Sequence, residues 1–387
     1  MRVPGESPPN VAGQRLVRDI RGLTSIALLA TILRVVAKIR IRKFRWDDIL
    51  MVAAQIFGIA GSIIVTIGVQ RGLGQHVWHT LASSKAGPDG DAFYTPPELP
   101  ADEDHGALIW FRHFTGSAAL SGGRNALLLY TQVGVHGDTV ATSGYIAIPN
   151  GDAPEGGWPI VTWAHGTTGI ADQCAPTRSD NSGDQTTSNL LEDWISKGYA
   201  VVNTDYEGLG TPGDHPYLIG NSEGRAVLDI IRAARTYQPK LNNKVVIAGH
   251  SQGGQAALFA ALLAPTYTPE LELFGTIAFA PVSNLENELP LLRGLSVNAL
   301  SGTVALILRG LSIANSSLDA TSLLTPTALA LYPETLTKCS TELSSNSSFG
   351  PVAADDLLLP STNIDGLLVD LEENDASFLK IQKPLDD

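Results

Sequence analysis

The stretch that decides the fold is Val245-Val246-Ile247-Ala248-Gly249-His250-Ser251-Gln252-Gly253-Gly254-Gln255-Ala256-Ala257-Leu258. An apolar run typical of a buried strand enters a Gly-x-Ser-x-Gly turn, and an Ala-rich helix follows, which is the context of a nucleophile elbow. Such a turn holds the serine hydroxyl clear of the backbone and aims the first N–H groups of the helix at the group under attack. The pattern therefore predicts Ser251 as a nucleophile. The alternative is an ordinary glycine-rich turn between a strand and a helix.

Composition limits the classes of function. The chain has 387 residues, enough for one large α/β domain with extra segments. Its net charge of −13 argues against nucleic acid as the main partner. Two cysteines, Cys174 and Cys339, are too few for a disulfide scaffold. They could form one bridge in an oxidising compartment, or they could be two buried free thiols.

The region before residue 81 has the pattern of a membrane segment. The range 49–69 carries no charged residue and is long enough to cross a bilayer as a helix, although a buried core helix is the alternative. The range 22–37 is a second, weaker candidate because Arg34 interrupts it. Five cations between residues 38 and 45 separate the two. The positive-inside rule places this basic loop in the cytoplasm and everything after residue 70 on the extracellular or lumenal side.

Two motifs in this region carry a family resemblance. The run Ile39-Arg40-Ile41-Arg42-Lys43-Phe44-Arg45-Trp46-Asp47-Asp48 and the later Gly72-Leu73-Gly74-Gln75-His76-Val77-Trp78 resemble the fungal rhodopsin-like integral membrane proteins. The resemblance covers about residues 23–80 and would supply two helices of a seven-helix domain. An unusual fusion and a gene prediction that joins two neighbouring genes are both compatible with it.

The rest of the chain alternates between strand and helix patterns after a linker at 81–104 that is rich in Gly, Pro, Ser and Asp. Two strand-like runs at 127–133 and 140–148 predict an antiparallel hairpin at the sheet edge. Further buried strands are predicted at 159–164, 199–204, 245–248 and 274–279, with helices at 187–196, 223–235 and 255–264. This alternation predicts an α/β fold with a parallel sheet, helices on both faces and a site at the carboxyl ends of the strands.

Two strand ends carry candidate chemistry. The loop His165-Gly166-Thr167-Thr168-Gly169 follows one strand, and a loop there can give one N–H to an oxyanion hole while the Gln252 N–H gives the other. A structural role for the His165 side chain is favoured over a role as base. The run Asp205-Tyr206-Glu207-Gly208-Leu209-Gly210 ends the next strand. Its carboxylates could bind a substrate cation, but turn formation and helix capping are favoured.

Several motifs in register resemble the fungal and actinobacterial secretory lipases over about residues 91–380. They are Trp163–Gly169, Asp172–Pro176, Asp205–Gly210, His215–Leu218, Ser222–Ala226, Gly249–Gly254 and Ala278–Pro281. The resemblance implies an α/β-hydrolase fold and a lipase or carboxylesterase acting on acylglycerol-type esters, with Ser251 as nucleophile. It also implies that the main-chain N–H groups of Asp172 and Gln252 form the oxyanion hole, and that Cys174 pairs with Cys339. It implies no metal and no organic cofactor.

The strand pattern stops at about residue 284, and the range 284–378 is interpreted as a helical insertion. Apolar runs with helical spacing at 285–313 and 321–332 would suit a lid over a lipid-binding pocket. Helices that simply cover the sheet are the alternative. Asn315-Ser316-Ser317 and Asn346-Ser347-Ser348 are glycosylation sequons, which agree with an extracellular location.

The general base and the acid of a serine triad are not found. In this fold the order is Ser, acid, His, but all eight histidines precede Ser251, and 380–387 reads as the beginning of a strand. The expectation is a hydrolase that lacks its last strands, its acid and its base. A longer reading frame, a membrane-anchored lipid-binding or vestigial hydrolase, and an out-of-order base (His165, His215 or His250) remain open. The expected partners are an ester or lipid substrate and the membrane.

Overall fold

The structure is a computed structural model. It describes residues 85–100, 103–179, 185–287, 300–360 and 364–381, with scattered helical positions between residues 27 and 66. Two compact units are separated at Lys85 and Ala86. The membrane spans predicted at 22–37 and 49–69 lie mostly outside the described residues. Within the described residues no helix has the length and apolar character needed to cross a bilayer.

The second unit contains one mixed sheet. Its described strands are β1 Leu108–His113, β2 Gly123–Val133, β3 Thr139–Pro149, β4 Trp158–Ala164, β5 Ala200–Thr204, β6 Leu241–His250 and β7 Glu272–Phe279. Their spatial order is β1-β2-β3-β5-β4-β6-β7. In this order, neighbouring strands among β1, β2, β3 and β5 pair antiparallel. Neighbouring strands among β5, β4, β6 and β7 pair parallel. The prediction that the β2–β3 hairpin forms the sheet edge is wrong, because β1 pairs with the outer side of β2.

Helices cover both faces of the sheet. Helix α1 Gln185–Ser196 packs Leu191 and Ile195 against a cluster that includes Tyr145 of β3. Helix α2 Gly220–Tyr237 lies on the opposite face. Successive residues of a strand face opposite sides of the sheet, and Gly144, which precedes Tyr145, faces α2. A Cβ on Gly144 would come 2.4 Å from Ile230 Cδ1. Helix α3 Gln252–Tyr267 packs beside α2 and against β6 and β7. The three helices lie where the sequence predicts them.

The insertion after β7 is built from short helices. They are α4 Ser301–Ala314, α5 Pro326–Leu331, α6 Ser340–Leu343 and α7 Asp365–Glu373, with 3-10 turns at 320–323, 332–336, 354–356 and 376–378. Part of the predicted apolar stretch, 288–299, lies outside the described residues. The insertion has a hydrophobic core of its own, with Leu306, Phe349 and Leu371 fully buried, and this core also includes Tyr217 from the sheet domain. The insertion is therefore packed against the loop that precedes α2.

Candidate active site

Ser251 stands at a sharp turn between β6 and α3. Its φ is +56°, a left-handed conformation that a side chain rarely adopts. The two glycines of the motif explain how the turn closes. A Cβ on Gly249 would lie 2.0 Å from Gly253 O, and a Cβ on Gly253 would lie 1.9 Å from Ala164 O. Only glycine fits at both positions, so β4, β6 and the start of α3 approach closely enough to present Ser251.

A cavity of about 300 Å³ opens beside Ser251. One wall is the loop after β4, where a Cβ on Gly166 would come 3.6 Å from Ser251 Cβ. The rest of the lining mixes apolar side chains with hydroxyl and amide groups. The lining residues are Ala118, Leu120, Tyr145, Trp163, His165, Gly166, Thr167, Thr168, Pro176, Thr187, Ser188, Leu191, Asn203, His250 and Ser251. A carbonyl compound of modest size could reach the serine hydroxyl there.

Two groups of main-chain N–H donors were predicted for an oxyanion. Gln252 is the first residue of α3, and the first N–H groups of a helix have no partner within it, so its N–H is available next to Ser251. Asp172 begins a 3-10 turn, is exposed, and does not line the cavity. The residues of the other predicted loop, Gly166 and Thr167, do line it. The second donor, Asp172 or this loop, stays a prediction.

His165 is buried at the edge of the cavity. Its Nδ1 lies 2.7 Å from Gly166 O and its Nε2 lies 3.4 Å from Asp205 O. Burial lowers the pKa of His165 to about 4, so the imidazole is neutral near pH 7. Both ring nitrogens face main-chain carbonyls. This arrangement agrees with the structural role favoured for His165 from the sequence.

The carboxylates after β5 hold loops together. Asp205 is buried and accepts hydrogen bonds from Ser143 Oγ at 2.6 Å and from Thr177 N at 3.1 Å. Its burial raises the pKa of its carboxyl to about 6. Glu207 accepts from Val135 N at 3.1 Å and from Ser222 Oγ. Neither carboxylate faces the cavity, so a structural role fits them better than binding of a substrate cation.

A buried polar network lies behind the elbow. Gln252 Nε2 is 2.8 Å from Glu223 Oε1 and 3.1 Å from His215 Nε2. His215 Nδ1 is 2.8 Å from Glu207 O. Burial raises the pKa of Glu223 to about 8 and lowers that of His215 to about 3. Glu223 was not a predicted site residue. The only sequence signal was its place in the motif Ser222–Ala226.

A general base for Ser251 is not identified. Among the described residues none makes a hydrogen bond to the Ser251 hydroxyl. His215 is fully buried, with Nδ1 on a main-chain carbonyl and Nε2 on the Gln252 amide, so it does not reach the cavity. His250 is exposed and lines the cavity, but it neighbours Ser251 in the turn. No group of metal-ligating side chains is found within the described ranges.

The predicted disulfide is confirmed. Cys174 and Cys339 are bonded, and the bond joins the loop after β4 to the insertion. Two hydrogen bonds accompany it, from Ser340 N to Thr168 O at 2.9 Å and from Gln173 Nε2 to Thr337 O at 2.7 Å. The insertion is thereby fastened to the segment that lines the cavity.

The two sequons differ in exposure. Asn346 is exposed, whereas Asn315 is partly buried and its Nδ2 lies 2.9 Å from Asp370 Oδ2. Glycan attachment uses this amide nitrogen. The site at Asn346 is therefore the more accessible of the two, and glycosylation at either stays a prediction.

Comparison with known proteins supports the lipase resemblance. The model of the secretory lipase family matches residues 178–340. Lipase A of Moesziomyces aphidis is 30% identical over 49% of this chain, and a secreted triacylglycerol lipase of Malassezia furfur is 30% identical over 54%. A probable inactive lipase of Mycobacterium tuberculosis is 29% identical over 48%. The alignments cover 42%, 47% and 42% of these relatives, so the chain spans less than half of their length.

Solved structures agree in fold. Candida antarctica lipase A has a TM-score of 0.57 at 22% identity, covering 70% of this chain and 64% of that one. The rice cell wall degrading esterase LipA of Xanthomonas oryzae has a TM-score of 0.60 at 23% identity, covering 73% and 82%. These findings support the α/β-hydrolase fold and give no support to the resemblance of residues 23–80 to the fungal rhodopsin-like integral membrane proteins. The family model, over residues 178–340, and the curated relatives relate this chain to the secretory lipases.

Proposed function

We propose that this protein is a carboxylic ester hydrolase with Ser251 as its nucleophile, acting on acylglycerol-type esters. The observation that carries the proposal is the position of Ser251, which stands at positive φ on the elbow and lines a cavity of about 300 Å³. The names of the relatives support the same class of reaction. The disulfide and the exposed sequon at Asn346 support passage through the secretory pathway.

In the proposed reaction the Ser251 oxygen attacks the ester carbonyl. The N–H groups of Gln252 and of the Gly166–Thr167 loop hold the negative oxygen of the tetrahedral intermediate. The alcohol leaves with a proton, and water then attacks the acyl-enzyme to release the carboxylic acid. Each main-chain donor of an oxyanion hole is typically worth about 10²–10³ in rate. The group that accepts the serine proton stays unassigned.

A second candidate is a catalytically incomplete protein that retains the pocket and binds lipid. Two observations favour it: no described imidazole is bonded to Ser251, and one relative carries the name of a probable inactive lipase. A fluorophosphonate probe separates the two candidates, because it reacts with an activated serine and leaves an inert one unmodified.

The experiment compares the wild-type chain with Ser251→Ala. Under the proposed function the probe adds its phosphonyl group to the wild type at the peptide that contains Ser251, and p-nitrophenyl esters are hydrolysed. Ser251→Ala loses both properties while keeping its fold by circular dichroism. A folded wild type that stays unlabelled would contradict the hydrolase proposal and favour the lipid-binding candidate.

A further inference from the structure

We infer that Glu223 is a positioning residue that orients Gln252, and with it the N–H donor beside Ser251, through a buried hydrogen-bond network. The inference deepens the proposed function and rests on it. It starts from the side-chain amide of Gln252, which is buried at the first residue of α3. The side chain of Gln252 therefore holds in place the residue whose main-chain N–H is the proposed oxyanion donor.

The network determines the orientation of the Gln252 side-chain amide. Nδ1 of His215 lies 2.8 Å from Glu207 O, a carbonyl that can only accept, so Nδ1 carries the proton and Nε2 is an acceptor. The two hydrogens of Gln252 Nε2 therefore go to His215 Nε2 at 3.1 Å and to Glu223 Oε1 at 2.8 Å. In the opposite orientation the amide oxygen would face the lone pair of His215 Nε2, which cannot donate. Both donors of the amide are used, which defines the orientation of the Gln252 amide.

Glu223 is itself held from two sides. It lies in the first turn of α2, and its Oε1 also accepts the Leu218 N–H at 2.9 Å. Its Oε2 is buried without a hydrogen-bond partner among the described residues. Burial raises the pKa of this carboxyl, which agrees with a proton on the unpartnered Oε2. Glu223 thus serves as an acceptor through Oε1 alone, and a glutamine could do the same.

The same network reaches the opposite wall of the cavity. The Tyr206 ring stacks against His215 with 5.8 Å between centroids, and its hydroxyl donates to His165 O at 2.9 Å. His165 begins the loop that carries the other candidate donors. The buried groups therefore connect both sides of the predicted oxyanion hole, and the partners of the Gln252 amide nitrogen among the described residues are Glu223 and His215.

The test uses a matched pair of substitutions. Glu223→Leu removes the acceptor at similar size, and Glu223→Gln keeps it. The rate constant for reaction of the fluorophosphonate probe with Ser251 should fall by about 10- to 100-fold in Glu223→Leu. This decrease is no larger than the decrease expected when a whole oxyanion-hole donor is removed. The affinity of the probe before reaction should stay unchanged, because the donor acts in the transition state. Glu223→Gln should react within about threefold of the wild type.

Gln252→Met keeps the inference testable if Glu223→Leu is poorly folded, because it removes the same hydrogen bond from the other partner and should slow the probe reaction by a similar factor. Where both variants fold, a double-mutant cycle joins them. Gln252→Met removes the amide donors and leaves the main chain, so adding Glu223→Leu to it should slow the reaction no further. Glu270→Gln serves as control, because Glu270 is an exposed carboxylate in the turn after α3 and pairs with Arg232. Equal rates for the wild type and a folded Glu223→Leu, or additive losses in the cycle, would overturn the inference alone. An unlabelled wild type would overturn the proposed function and the inference with it.

Discussion

At the residue scale, burial shifts the pKa values of two ionisable groups behind the elbow in opposite directions, so their contributions to stability depend on pH in opposite ways. Burial raises the pKa of Glu223 from 4.5 to about 8 and lowers that of His215, 3.9 Å away, from 6.5 to about 3. Tyr206 and Tyr217 face the same carboxyl, and both have raised pKa values, so they remain neutral. Glu223 and His215 are therefore both uncharged near pH 7, and the network is held by neutral hydrogen bonds.

This arrangement predicts a pH-dependent stability that Glu223→Gln removes. Between about pH 4.5 and about pH 8 the folded state keeps a proton on Glu223 that the unfolded state has released. The contribution of Glu223 is therefore complete below pH 4.5 and is lost as pH rises towards 8. His215 acts in the opposite direction, since its contribution is lost as pH falls below 6.5 towards 3. The difference between wild type and variant cancels His215 and isolates Glu223.

Urea unfolding at several pH values checks this prediction. The free energy of unfolding of Glu223→Gln, relative to the wild type, should rise between the two pH limits by on the order of a few kcal/mol. Parallel pH profiles for the two proteins would show that the carboxyl of Glu223 is ionised in the folded state and that its burial costs little.

At the scale of elements, the sequence predicts the elbow well because its geometry is local. The glycines at 249 and 253 and the apolar runs around them specify strand, turn and helix without help from distant residues. Strand β1 is not predicted from the sequence, because the run Leu108-Ile109-Trp110-Phe111 is identified as a strand only through its pairing with β2. The Glu223–Gln252 contact is not predicted from the sequence for the same reason. It joins the first turns of two helices that tertiary packing brings together.

The contact between α3 and β4 predicts a severe effect of Gly253→Ala. The added Cβ would lie 1.9 Å from Ala164 O and 2.6 Å from His165 O, and these are backbone atoms that cannot rotate away. The helix must shift off the sheet, so we expect a loss of about 3 kcal/mol or more in the free energy of unfolding. Gly275→Ala is the matched control, because a Cβ on Gly275 in β7 meets no atom within 4 Å. Thermal unfolding of both variants checks the difference, and equal midpoints would contradict the close approach.

At the scale of the whole molecule, the sheet has two unequal edges. Strand β1 forms one edge, where Phe111 also pairs with Ala86, whereas β7 forms the other edge and pairs only with β6 among the described residues. Three large apolar side chains of β7 are exposed: Phe274 by 60%, Ile277 by 44% and Phe279 by 41%. An open, apolar edge strand can pair with another chain. We therefore expect the isolated chain to self-associate through β7.

A charge on this edge should reduce the association. Ile277→Lys places a cation on β7, where desolvating it against a second edge is costly, so the chain should stay monomeric to about tenfold higher concentration. Val369→Lys on α7 is the matched control, since Val369 is 55% exposed and lies in a helix whose hydrogen bonds are internal. Sedimentation velocity over a concentration series measures both variants. If Val369→Lys dissociated the chain as well as Ile277→Lys does, net charge would explain the effect and the β7 edge would not. If neither variant changed the series, the chain would associate through another surface or not at all.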